Sequence, residues 1–341
     1  MENNQAIPGY EVLRKLGSGA MAAVYLARQV SLDRLVAIKI LPSRFSANTD
    51  YIKRFKQEGQ AAAKLNHPNI VAAVDVGAVG RRHYFVMEYV DGTDVHELLK
   101  KKGKLPERRA LEIIQEIALA LQHAHGKGFL HRDIKPRNIM ITKAGVAKLA
   151  DLGLARHVDD TETAELEKNK AFGTPFYISP EQIRGRMDIA APADIYGLGA
   201  TFYHMVTGKV PFKGANPKEV MKAHLKEDLV PPDHLNSELS SGCAQIIEHM
   251  LARRVEDRYH SADDLLIDLE LVMQDLPPKF ARSVIDASVL AETAAAASAA
   301  SAIPTKVGKP NVESTPPTWM LAALVGSLFV NLLLFILYLL K

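Results

Sequence analysis

The sequence predicts an α+β chain: a β-rich N-terminal part, a larger helical part, and one apolar C-terminal helix. Three observations lead there. From Tyr10 to about Asp91 the pattern is of short alternating strands around one helix, and from Gly92 to about Asp275 it is helix-rich. From Trp319 to Leu340, 22 residues pass without a charge, and about 20 apolar residues span a bilayer core.

The bulk properties set wide bounds. A length of 341 residues holds one large domain with extras, and an apolar fraction of 48% supports a sizeable core. A net charge of +3 is too small to imply nucleic acid as a partner. The single cysteine, Cys243, excludes an internal disulfide and reads as a small core residue. Met1 to Tyr10 carries no apolar signal region, and the histidines show no metal-ligand pattern.

In chain order, Leu16-Gly17-Ser18-Gly19 leads through Val24-Tyr25 as strand, glycine turn, strand. Glycines let backbone close over phosphates without a side chain in the way. Val36-Ala37-Ile38-Lys39 follows as an apolar strand ending in a cation, which alone reads as a solvated lysine. The segment Asp50 to Leu65 has Ile52, Phe55, Ala62 and Leu65 at helical spacing, with Glu58 on the same inward stripe. A glutamate on a buried face needs a partner, and Lys39 is the obvious one. Tyr84 to Gly92 then reads as a strand and a connector.

The richest segment is His131-Arg132-Asp133-Ile134-Lys135-Pro136-Arg137-Asn138. It places a general base, a phosphate-binding cation and a metal-binding amide within eight residues, and Asp151-Leu152-Gly153 adds a carboxylate thirteen residues later. These are the parts needed to move the γ-phosphoryl group of ATP onto a hydroxyl. Here the chain resembles the protein kinases, specifically the bacterial eukaryotic-like (Hanks-type) Ser/Thr kinases, from about Tyr10 to Met273.

The resemblance implies a two-lobed kinase domain over 10–275, with the small lobe at 10–91 and the large lobe at 92–275. It implies ATP contacts from Leu16, Gly17, Ser18, Gly19, Val24, Ala37 and Lys39, with Glu58 pairing Lys39. Met87 is the expected gatekeeper, the backbone of Glu88 and Val90 the adenine hinge, and Met140 the floor. Asp133 is the expected base and Lys135 the charge-neutralising cation. Asn138 and Asp151 are the expected ligands of Mg²⁺, with Mn²⁺ able to substitute. The chain departs from the family at Ala22, where a third glycine is usual, and at Leu152, where phenylalanine is usual. Gly173 to Glu181 and the DxKxxN form match protein Ser/Thr kinases. Thr174 is expected to contact Asp133 and Lys135, Glu181 to pair with Arg258, and Asp194 to hold the catalytic loop. Arg132 is expected to answer to a phosphate at Thr161, Thr163 or both, placed there by autophosphorylation, the rival being an ordered loop with unmodified threonines. The rival reading is a pseudokinase, a silent binding module. Its usual mark is loss of one of Lys39, Glu58, Asp133, Asn138 and Asp151, all of which are present.

A Pro-, Ala- and Ser-rich linker is expected over 276–317 and a membrane helix over 318–340, in contact with the lipid bilayer. The rival for the last segment is a buried helix of a soluble protein. Since the kinase part needs cytosolic ATP, a single-pass protein of the cell membrane with a cytoplasmic kinase domain is expected. Lys306 and Lys309 before the span against Lys341 beyond it agree. Only Lys341 follows the apolar run, so an anchored enzyme without an outer sensor domain is expected. Ala322, Gly326 and Ala323, Ser327, Asn331 recur at four-residue spacing, which points to a homodimer through this face. Protein substrates bearing Ser or Thr complete the expected partners.

Overall fold

In the computed structural model, residues 7–18, 22–41, 49–80, 82–151, 156–157 and 175–281 are described, with 18, 50, 51, 54, 56–58, 60, 61, 156 and 157 as backbone alone. The strands β1 (Tyr10–Ser18), β2 (Ala23–Gln29), β3 (Arg34–Ile40), β4 (Ala73–Val79) and β5 (Arg82–Glu88) form an antiparallel sheet in the order β1-β2-β3-β5-β4. β3 is its middle strand. Val36 and Ile38 join Ile7, Ala27, Tyr84 and Val86 in a small core on one face. The two-residue period of a strand therefore puts Ala37 and Lys39 on the other face. Two register shifts in β1, at Val12/Arg14 and Lys15/Gly17, bend it as it nears the glycine turn.

The helix α1 (Thr49–Lys64) lies on β4 and β5, close to the span read from its apolar spacing. Phe55 and Ala62 are buried, as is Leu65 just beyond the helix. Gly59 permits the approach: a Cβ there would stand 3.2 Å from Val76 and 3.4 Å from Phe85.

The large lobe opens with β6 (Gly92–Asp94), α2 (Val95–Lys102) and α3 (Glu107–Gly126). The short strands β7 (Phe129–Leu130), β8 (Ile139–Thr142), β9 (Ala147–Leu149) and β10 (Arg156–His157) follow. They pair as β6-β8-β9 and β10-β7, small sheets that the helix-rich reading did not resolve. Then come α4 (Pro180–Ile183), α5 (Ala191–Thr207), α6 (Pro217–Lys226), α7 (Pro232–Leu235), α8 (Ser241–Met250) and α9 (Ala262–Met273). α5 is apolar on every side, with Ile195, Leu198, Phe202 and Met205 all at 0% exposure, and so forms the centre of the lobe. Cys243 is buried in α8, as its reading as a core residue requires.

One apolar cluster runs from Phe55 and Phe85 through Ile114 and Leu149 to Phe202 and Leu269, so the lobes share a core. The loop after α1 also ties them together. Asn69 Nδ2 donates to Ala147 O at 2.8 Å, and Leu149 N donates to Asn69 O at 2.8 Å.

The packed structure continues past residue 275. The buried Asp268 carboxylate accepts from Tyr259 Oη at 2.8 Å and from the amides of Lys279 (2.6 Å), Phe280 (3.0 Å) and Ala281 (2.9 Å). Among the described residues no helix is long and apolar enough to cross a membrane. The expected linker beyond Ala281 and the expected membrane helix over 318–340 lie outside the described residues.

Candidate active site

The segment His131 to Asn138 joins β7 to β8 and is held from below by one buried carboxylate. Asp194, near the start of α5, accepts from His131 N at 2.9 Å and Arg132 N at 2.6 Å, and meets His125 Nε2 at 2.9 Å. Burial alone would raise the Asp194 pKa. The hydrogen bonds and charges of His125 and His131 and the Arg132 amide outweigh it, so the pKa is lowered and the group stays ionised. Arg132 stands at φ 67, a left-handed conformation that costs a non-glycine residue about 1–3 kcal/mol. The surroundings over-determine it: its amide is fixed by Asp194 and its carbonyl accepts from Gln182 Nε2 at 2.9 Å. Gly197 lets α5 come up beneath the loop, since a Cβ there would lie 3.2 Å from Ile134.

On this support the polar groups converge. Lys135 Nζ donates to Asp133 Oδ2 at 2.6 Å. Asn138 Nδ2 donates to the Asp133 carbonyl at 2.8 Å and to Oδ2 at 3.2 Å. The amide nitrogen of Asn138 is thus engaged, and its oxygen is the atom it has for a cation. The Asn138 carbonyl accepts from Ala150 N at 2.8 Å, and the Ala150 carbonyl lies 3.1 Å from His131 Nε2. His131 therefore carries its proton on Nε2, which suits Nδ1 as acceptor for Asp133 N at 3.3 Å.

The next residue is Asp151, at φ 61 and with its side chain half exposed. Lys39 Nζ reaches it from β3 at 2.5 Å. The loop of the large lobe and the central strand of the small lobe thereby meet at one point. The oxygen donors of Asn138 and Asp151 fit a hard divalent cation such as Mg²⁺, which takes its remaining ligands from phosphates and water. Among the described residues no cluster of three or more His, Cys, Asp or Glu is placed to hold a metal by itself.

The expected nucleotide contacts that are described take the following places. Leu16, Gly17 and Ser18 end β1, where Gly17 pairs with Val24. Val24 pairs with Lys39, and Ala37 with Met87, which packs against the core from β5. Glu88 N donates to Ala72 O at 2.9 Å, and its carboxylate meets Lys148 Nζ at 2.9 Å. Val90 is buried in the connector, and Met140 in β8 pairs with Asp94 on one side and Lys148 on the other. Ala22 is buried at 5% exposure. Gly19, Leu152, Gly153, Thr161, Thr163 and Thr174 lie outside the described residues, as does the side chain of Glu58 and hence its expected pairing with Lys39.

Two supports expected from the sequence are in place. Arg258 grips Glu181 through two hydrogen bonds of 2.8 and 2.9 Å, both side chains being closed to water. Asp194 holds the loop as described. Other supports were not read in advance: the direct Lys39–Asp151 contact, Lys148 on Glu88, and Gln182 on Arg132. A signal existed for the last. Ser179-Pro180-Glu181-Gln182 is a capping box, and both of its reciprocal bonds form at the start of α4.

The sequence profile of the protein kinase domain matches residues 10–268. The chain is 39% identical over 266 residues to a probable serine/threonine-protein kinase of Clostridium perfringens, covering 78% of this chain and 38% of that protein. It is 38% identical over 282 residues to serine/threonine-protein kinase PknB of Mycobacterium tuberculosis, covering 82% and 45%. With PknB of Mycolicibacterium smegmatis it shares 37% identity over 328 residues, covering 93% and 52%. The chain thus spans about half or less of the length of these relatives.

Proposed function

The chain belongs to the protein kinase family, of the bacterial Hanks-type Ser/Thr branch, and on that premise we propose that it transfers the γ-phosphoryl group of ATP to Ser and Thr hydroxyls of proteins. The observation that carries this is the meeting of Lys39 and Asp151 beside the Asp133, Lys135 and Asn138 constellation. Asp133 orients the incoming hydroxyl and accepts its proton as the oxygen bonds to the γ-phosphorus and the bond to the bridging oxygen of ADP breaks. Lys135, held on Asp133, faces the charge that builds on the transferred group. Lys39 neutralises the α- and β-phosphates. Asn138 and Asp151 would hold Mg²⁺, which would offset the charge of the phosphates. Leu16, Gly17, Ser18, Gly19, Val24, Ala37, Met87, Met140 and the backbone of Glu88 and Val90 enclose the nucleotide.

The finer reading adds three parts. The uncharged run over 318–340 anchors the protein in the cell membrane with the kinase domain on the cytoplasmic side. The small-residue face around Gly326 pairs two copies, and the pair autophosphorylates at Thr161 or Thr163.

The test is transfer of label from γ-labelled ATP by the full chain, to itself and to a generic protein, beside Asp133→Asn. The expected result is labelled Ser or Thr in the wild type and a loss of roughly 10²–10⁴-fold in the variant. ATP binding without transfer in the wild type would sink the proposal in favour of a silent binding module.

A further inference from the structure

Arg137 stands in the loop that carries the chemistry, yet the mechanism above does not use it. It lies in the 3-10 turn Pro136–Asn138, between Pro136 and Asn138, and is exposed. Its Nη2 lies 2.9 Å from Nε2 of His96, in the first turn of α2. A guanidinium only donates, so Nε2 is the acceptor and His96 is neutral with its proton on Nδ1. Burial first, then the charges of Arg137 and Lys100, hold the His96 pKa below its ordinary value, in agreement. The neighbouring acids have other partners. Asp94 caps α2 by accepting from Glu97 N at 2.8 Å, and Glu97 pairs with Lys100 at 3.0 Å. Among the described residues no carboxylate forms an ion pair with Arg137, whose guanidinium meets the neutral imidazole of His96. The Arg137 charge is also felt at Tyr177, whose pKa burial raises and Arg137 pulls back.

The geometry points to Arg137 as a specificity-determining residue, one that selects hydroxyl-bearing segments with an anionic side chain a few residues from the Ser or Thr to be phosphorylated. This rests on the kinase reading of the site. Arg137 is four residues from Asp133 in the same loop and exposed, so we place it beside the path of a peptide whose hydroxyl sits on Asp133. The fork of a guanidinium matches a carboxylate or a phosphate, and exchanging a neutral imidazole for either gains a charge-assisted pair.

The experiment uses the full chain with Mg²⁺ and ATP, and threonine peptides in which one Glu, phosphoserine, Gln or Lys is scanned through about five residues on each side, a span an extended chain covers in roughly 17 Å. At one or two positions, Glu or phosphoserine is expected to raise kcat/KM about tenfold over Gln, mainly through KM, and Lys to lower it. The Glu and phosphoserine arms tell whether the carboxylate or a previously placed phosphate is preferred. Added salt should shrink the preference. Arg137→Gln should erase it and Arg137→Glu invert it, with KM for ATP and the unfolding midpoint unchanged. Transfer that ignores charge, or a ranking that survives Arg137→Glu, overturns this inference alone. Failure to phosphorylate any peptide or the chain itself overturns the kinase reading and this inference with it.

Discussion

Two ion pairs shape the molecule on opposite terms. Glu181 and Arg258 are closed off, with side chains 5% and 0% exposed, and Arg258 also donates to the carbonyls of Ala252, Pro192 and Arg253. Lys39 and Asp151 meet as closely, at 2.5 Å, but Asp151 keeps 49% of its side chain in solvent. The first pair lies far from the reacting groups in sequence and locks α4 to the segment before α9. The second joins the lobes where phosphates are expected to bind. The contrast separates two uses of charge: a buried pair is committed to geometry, and an open pair remains addressable by a ligand. The same division runs through the large lobe. Asp194 and Asp268 are buried and saturated with donors, whereas Asp133 is only partly buried and bonded through side chains that can shift.

The contrast breaks or stands on stability measurements. Arg258→Met strands the Glu181 carboxylate in the core and should cost about 3–5 kcal/mol in denaturant unfolding, with Glu181→Met/Arg258→Met losing less than Arg258→Met alone. Lys39→Met removes a pair whose Asp151 end is open to solvent and should cost less than Arg258→Met while abolishing phosphate transfer. Equal losses in the two variants would erase the distinction. The next effect in size is at Asp268. Ending the chain after Asp275 removes three amide donors from a buried carboxylate, and hydrogen bonds to charged groups contribute about 1.5–3 kcal/mol each. A chain ended at Asp275 should therefore melt well below one ended after Ala281. Identical melting would show that residues 279–281 decorate the domain rather than complete it.

Much of this was legible in the sequence because the chemistry is local. Asp133, Lys135 and Asn138 lie in one turn, so their spacing alone brings them together. The α1 stripe of Phe55, Ala62 and Leu65 follows from helical periodicity, and those residues are buried. The Glu181–Arg258 grip spans 77 positions and was legible only through family resemblance, since no periodicity links the two. The two- to four-residue strands β6 to β10 gave too short a run for a period to show. The Asp268 latch was missed for another reason. Its donors are main-chain amides of Lys279, Phe280 and Ala281, and a backbone N–H has no identity in a sequence. The Arg137–His96 contact likewise depends on how α2 packs on the catalytic turn, a tertiary fact.

The smallest effect concerns protons. His204 in α5 and His224 in α6 are each pushed down to about 4, burial being the leading cause in both. Each is bound through Nδ1 to a phenol: His204 to Tyr177 at 2.8 Å, and His224 to Tyr196 at 2.6 Å. An unfolded histidine titrates near 6.5, so between that pH and 4 the unfolded chain binds protons that the folded chain refuses. The stabilisation is complete above about pH 6.5 and is lost as pH falls toward 4. At pH 5 each histidine should have withdrawn about 1–2 kcal/mol relative to pH 7. His67, His96 and His249 are lowered as well and act in the same direction. Asp194, whose pKa is lowered, takes on its proton only at still lower pH, so it contributes nothing to this window. Thermal unfolding from pH 7 to 5 should therefore fall steadily, and His204→Gln with His224→Gln should flatten the slope. A slope unchanged in the double variant would assign the acid sensitivity to other groups and leave these two histidines as packing residues.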